Sequence, residues 1–147
     1  MTTSNALSSA ENVLATADGF FAIADALHQR LNSSATRILF AAASTDLYGM
    51  LIEEYGLRAR AAILRNNAKQ HVVDNCKVSQ ERLYRCLEAT VHQVLSIPGA
   101  VQLRSVVASV NTLCVGISPG KGHVVDFLVQ ELEGDLESKP GIHPLHT

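Results

Sequence analysis

An all-α fold, a helical bundle of about five to six helices starting with an antiparallel helix hairpin, is predicted for this chain by three observations. Apolar residues recur at alternating spacings of three and four along most of the sequence, which places them on one stripe of an α-helix. Serine caps stand directly before two of these runs. Breaks rich in Gly, Pro, Asn and Ser separate the runs from one another.

The first helix starts at Ser8-Ser9-Ala10-Glu11, which has the S-x-x-E form of a capping box, in which hydroxyl and carboxylate satisfy reciprocal backbone amides. Val13, Ala17, Phe20, Ala24, Leu27 and Leu31 follow at spacings of 4, 3, 4, 3 and 4, the clearest pattern in the chain. Gly19 inside that run costs about 1 kcal/mol relative to Ala, so the helix depends on tertiary contacts. Asn32-Ser33-Ser34 makes a short turn, and a second helix from about Ala35 to Tyr55 completes the hairpin. Gly56-Leu57 has the form of a Schellman ending, with Gly56 left-handed and Leu57 set against Ile52. A third segment, Leu57 to Asn66, breaks at Asn66-Asn67 and resumes from Ala68 to Asn75.

Ser79 caps the next helix, with Val78 and Leu83 at the two positions of a hydrophobic staple. Leu83, Leu87, Val91 and Val94 mark its buried face, and Pro98-Gly99 ends it. The stretch from Val101 to Ile117 is rich in valine, which suits a strand, yet Leu103, Val107, Val110, Cys114 and Ile117 keep helical spacing. Length favours the helix, since a strand of 17 residues is unusual; the alternative is an α+β fold with residues 101–117 as strand. A last helix carries Val124, Val125, Leu128 and Leu132 as far as Gly134. Residues 9–134 thus read as a single helical domain, between a disordered N-terminus, 1–8, and a flexible tail, 135–147.

An apolar share of 47% with 18% charged residues is globular composition, and no run approaches the ~18 apolar residues of a membrane span. Membrane association is therefore not expected. Met1 to Asn5 carries neither the basic start nor the apolar stretch of a secretory signal. Cys76, Cys86 and Cys114 are odd in number and lack C-x-x-C spacing, as suits reduced thiols in the cytoplasm. A net charge of −2 excludes a polycation, so any role with nucleic acid has to be local.

One segment has that local form. From Val72 to Leu87, apolar Val72, Cys76, Val78, Leu83 and Cys86 precede or alternate with polar residues, and Ser79 caps the second half. The segment resembles the helix-turn-helix of bacterial repressors, departing from it at Lys77, where the motif has its turn glycine, and at Val73, where it has a small residue. The resemblance implies a DNA-binding regulator using residues 68–87, with Gln80, Arg82, Arg85, Lys77, Lys69 and Arg65 as the nucleic-acid contacts. Residues 58–85 carry a local net charge of +5, whereas Asp126 to Glu137 holds five acids and no Lys or Arg. Those two regions are also able to pair with each other, within a subunit or across an oligomer.

Ser118-Pro119-Gly120-Lys121-Gly122 precedes a helix and offers an anion loop through Gly120, Lys121 and Gly122, although the spacing is not that of a P-loop. The six histidines include no i, i+4 pair, and no metal site or cofactor is expected. No catalytic constellation emerges. The leading expectation is a non-enzymatic protein that self-associates as a homo-oligomer or binds a protein partner in a regulatory or accessory role; DNA binding ranks second and weak anion or nucleotide binding at residues 118–123 third.

Overall fold

The computed structural model describes residues 4–42 and 47–137. Helices account for 81% of these residues: α1 (Ala10–Leu31), α2 (Ser34–Ala42), α3 (Leu47–Asn66), α4 (Gln80–Ser96), α5 (Ala100–Gly116) and α6 (Gly122–Glu137), with one turn of 3-10 helix at Ala68–His71. No strand occurs among the described residues. The valine-rich stretch forms α5, and its stripe from Leu103 to Ile117 is buried throughout, so the all-α reading holds over the α+β alternative.

Every member of the α1 stripe, Val13 through Leu31, is fully buried. The cap lies one residue later than the capping box implied. Ser9 accepts from the Asn12 amide, and Asn12 Nδ2 reaches back to donate to Ser4 Oγ and Ser8 Oγ. Gly19 admits the close approach of α4: a methyl there would lie 2.7 Å from Leu87 Cδ1. The antiparallel partner of α1 is α3, with the short α2 between them; Asp18–Arg65, Asp25–Arg58 and His28–Glu54 run in opposite senses along the pair.

Helix α3 does not end at Gly56. It runs unbroken from Leu47 to Asn66, and Gly56 has no left-handed backbone. The reason lies in its buried stripe, Met50, Glu54, Leu57, Ala61 and Leu64, whose spacings of 4, 3, 4 and 3 continue straight through the glycine. A carboxylate in the second of these positions hides the pattern from an apolar reading. The single helix expected over 35–55 is instead two, α2 and α3, separated by residues 43–46, which lie outside the described residues.

The helix expected over Ala68 to Asn75 shrinks to one 3-10 turn, and the chain then runs without helix to the cap at Ser79. The N-terminal segment, expected to be disordered, fixes that run. Ala6 N donates to Val78 O at 2.9 Å, Val73 N to Leu7 O at 2.8 Å and Gln80 N to Ser4 O at 2.8 Å. Ala6 and Leu7 are fully buried, Leu7 with φ +62, so this short segment belongs to the core and carries local backbone strain. At the other end, α6 continues past Gly134 to Glu137; residues 1–3 and 138–147 lie outside the described residues.

Arg30, near the end of α1, ties three helices together. Its Nε donates to Thr36 Oγ1 of α2 at 2.9 Å, Nη1 to Val94 O at 2.9 Å and Nη2 to Ile97 O at 2.5 Å, at the C-terminus of α4. Burial holds this guanidinium below its ordinary pKa. The buried residues of all six helices and both connecting segments form one apolar cluster that includes the three cysteines, all free thiols. Burial pushes Cys76 up to about 11 and Cys86 and Cys114 up to about 12, so they stay protonated and packed.

Candidate functional site

Of the residues assigned to nucleic acid, Arg65, Lys69, Lys77, Arg82 and Arg85 are exposed and Gln80 is half-buried, but no helix-turn-helix carries them. A helix-turn-helix needs a helix before the turn, and residues 72–78 are non-helical, with Val73, Cys76 and Val78 buried against the N-terminal segment. Gln80 turns inward: its Oε1 accepts from Leu7 N at 2.9 Å and its Nε2 donates to Thr16 Oγ1 at 3.1 Å. Arg82 is held by Glu133 of α6 through two bonds of 2.9 and 2.6 Å. Arg85 pairs with Glu81, and Arg65 pairs with Asp18 while lying 4.1 Å over the Phe21 ring. Lys77 is fixed by its backbone, whose amide donates to Asp126 Oδ2 at 2.9 Å, and Lys69 is exposed on the 3-10 turn. The acidic C-terminal helix thus pairs with the basic region inside the subunit.

The Arg82–Glu133 pair sets a pH dependence. The hydrogen bonds from Arg82 hold the Glu133 carboxyl below its ordinary value, and Glu133 raises the guanidinium in turn. A carboxyl depressed by folding stabilises the fold above its unfolded value, and that contribution disappears as pH falls through the folded value. With Arg82 about half exposed, the pair is worth less than about 1 kcal/mol. The melting-temperature gap between wild type and Arg82→Ala is expected to be small at pH 7 and to close on acidification below the carboxylate range; a gap constant down to pH 3 would show that the pair contributes nothing.

The anion loop is also filled from within. Gly122 N, the first amide of α6, donates to Asn75 Oδ1 at 2.9 Å, and Lys121 O accepts from the Val124 and Val125 amides. Gly120 makes the turn with φ +77. The amide that was to meet an anion therefore already meets a side-chain oxygen.

The outer side of α3 has a different character. Tyr48, Ile52, Tyr55, Gly56, Ala59 and Ile63 are all exposed, with Tyr48 at 71%, Ile52 at 55% and Tyr55 at 76%. At about 100° per residue they share an arc of roughly 100° opposite the buried stripe. All the charged residues of the helix, Glu53, Glu54, Arg58, Arg60 and Arg65, fall outside that arc. A helix that is apolar on two opposite faces satisfies only one of them within the monomer. The glycine strengthens the point: a side chain at Gly56 would meet nothing within 4 Å, so no contact in the monomer calls for the residue that is least favourable in a helix interior.

Helix α5 packs beside α3, joined to it by Asn111 Nδ2 donating to Glu53 Oε1 at 2.7 Å. Its own outer stripe, Val101, Ser105, Ala108, Thr112 and Val115, is exposed and uncharged. On the other flank of α3 a groove of about 440 Å³ opens against α1, lined by His28, Tyr48, Leu51, Tyr55 and Arg58. At its base the buried Glu54 accepts from Arg58 Nε at 2.9 Å and lies 3.1 Å from His28 Nδ1. Asn32 Nδ2 stands 3.0 Å from His28 Nε2, so a neutral ring with its proton on Nδ1 satisfies both neighbours. The network anchors α3 to α1. No group of side chains suited to a metal ion occurs among the described residues, and none of their helices is long and apolar enough to cross a membrane.

Sequence reasoning passed over this face because it followed one stripe per helix. The spacings 4, 3, 4 and 4 from Tyr48 to Ile63 are a second stripe, visible only once α3 is known to continue through Gly56. The fold and this face define a small all-α protein with an unpartnered helix surface. Comparison of the chain with models of protein families, with curated proteins and with solved structures finds no match.

Proposed function

We propose that the protein acts by self-association through the outer face of α3, with the flanking stripe of α5, in a regulatory or accessory role. The observation that carries this reading is the uncharged arc from Tyr48 to Ile63, opposite a stripe that already supplies the helix with its core contacts. Exposed tyrosines joined to isoleucine are what protein interfaces enrich, and charged residues are what their centres lack. Two adjacent helices about 25–30 Å long and 10 Å apart offer a face of roughly 600 Å², close to the ~800 Å² per partner of a standard interface.

Ile52→Asp tests this directly, since its side chain is more than half exposed and lies opposite the buried stripe. Wild type is expected to sediment as a dimer or larger species at tens of micromolar, and Ile52→Asp as a monomer with unchanged circular dichroism and melting temperature. A wild type that remains monomeric throughout that range removes the proposal.

A further inference from the structure

The geometry points to the arrangement of the pair: two copies meet through α3 packed antiparallel on α3 of the second copy, with Gly56 on the two-fold axis and Glu53 of each chain against Arg60 of the other. This inference rests on the proposed self-association. Two charged residues, Glu53 and Arg60, border the uncharged arc on the side toward α5, seven residues apart and about 20° from each other around the helix. Both are exposed. Arg60 makes no ion pair among the described residues, whereas Arg58 and Arg65 are held by acids of α1. Among the described residues Glu53 is engaged by a neutral amide, that of Asn111, and by no cation.

A two-fold that makes the helices antiparallel keeps each border on its own side and reverses the order along it. Positions whose numbers sum to about 113 then come opposite one another, which sets Glu53 against Arg60 twice by symmetry. The same register puts Gly56 against itself at the crossing and Tyr55 over Ala59 of the other chain, so the residue with no side chain sits where the backbones approach most closely. On the opposite border Arg65 comes near Tyr48, while Arg58 lies near Tyr55 and within about 5 Å along the axis of its own symmetry mate, its charge held in each chain by Asp25 and Glu54. A parallel pair does the reverse: it brings the α5-side border, with Arg60, onto the α1-side border of the other chain, with Arg58 and Arg65 at the same height. The parallel pair therefore forfeits both Glu53–Arg60 contacts and sets Arg60 against cations, which favours the antiparallel dimer.

Charge reversal and a cysteine pair test the arrangement. Glu53→Arg and Arg60→Glu are each expected to weaken dimerisation about tenfold or more by equilibrium sedimentation, and the double reversal to return it to within about threefold of wild type. Under mild oxidation Gly56→Cys is expected to cross-link to its own copy. Tyr48→Cys is not, because eight residues from the axis on each side separate the two sulfurs by about 24 Å. The native thiols are buried and serve as the uncross-linked background. Melting curves confirm that each variant is folded. If Ile52→Asp dissociates the dimer but the double reversal is no better than the singles, or Tyr48→Cys cross-links as readily as Gly56→Cys, the antiparallel arrangement is overturned while the association face stands. A monomeric wild type overturns both.

Discussion

Replacing Arg30 by Ala is expected to cost about 3 kcal/mol of stability. The guanidinium is half buried and its three bonds end on the buried Thr36 hydroxyl, which also accepts from Ser33 Oγ at 2.8 Å, and on the carbonyls of Val94 and Ile97. Those carbonyls sit at the C-terminus of α4, where the last turn has no intrahelical amides left to bind. A bond to a charged donor contributes about 1.5–3 kcal/mol, and each acceptor left dry adds its own desolvation cost, partly offset when water enters beside Pro98. Arg30→Lys is expected to recover less than half of the loss. An ammonium is one point of charge, and it does not span an acceptor on α2 and two on α4 as a planar fork does. Urea unfolding followed by circular dichroism gives the comparison. A loss under 1 kcal/mol for Arg30→Ala would mean that water replaces the clamp at little cost.

Arg30 also marks the boundary of what can be read from sequence. The helices were legible wherever an apolar stripe was uninterrupted: α1 and α5 bury the residues their spacing nominates, and α4 buries Leu83, Leu87 and Val94 and half-buries Val91. Legibility failed in two places, at Glu54 and over residues 72–78. Glu54 occupies a stripe position in α3 and is tolerated there because Arg58 and His28 satisfy it, but those partners come from one turn on and from another helix. An apolar stripe that omits Glu54 has no member between Met50 and Leu57, and the Gly56-Leu57 pair then reads as a helix end. The segment 72–78 failed for a related reason. Its local composition suits a helix, and what extends it is the pairing with Ser4 to Leu7, about seventy residues earlier, an interaction no local pattern records. Charge was half legible. That the acidic α6 pairs with the basic region is confirmed at Arg82–Glu133, while the choice of Asp126 to cap the amides of Lys77 and Val78 depends on three-dimensional position alone. The uncharged outer face of α3 was illegible while α3 itself was cut in two.

Gly122→Ala is the second substitution expected to have a large effect, of about 3 kcal/mol, and the argument is steric. Gly122 opens α6 directly against Asn75: its amide donates to Asn75 Oδ1, and a methyl at its Cα would fall inside contact distance of that oxygen and of the Asn75 carbonyl group. Backbone atoms do not swing aside as a side-chain end does, so either the helix or the 72–78 segment has to retreat by about 1 Å to restore ordinary contact. Retreat is opposed one turn further along α6, where both oxygens of Asp126 hold the Lys77 and Val78 amides at 2.9–3.1 Å. The strain therefore spreads into the segment that the N-terminal residues also bind. Asn75→Ala alone is expected to cost about 1 kcal/mol, through the lost cap on Gly122. Because the carbonyl remains in the double variant, Asn75→Ala should relieve less than half of the Gly122→Ala penalty. Gly134→Ala provides the contrast on the same helix. A side chain there meets nothing within 4 Å, and the change is expected to raise stability by up to about 1 kcal/mol through helix propensity. If Gly122→Ala instead unfolds within 0.5 kcal/mol of wild type, roughly the scatter of neutral surface changes, then α6 does not seat on the Asn75 backbone in solution.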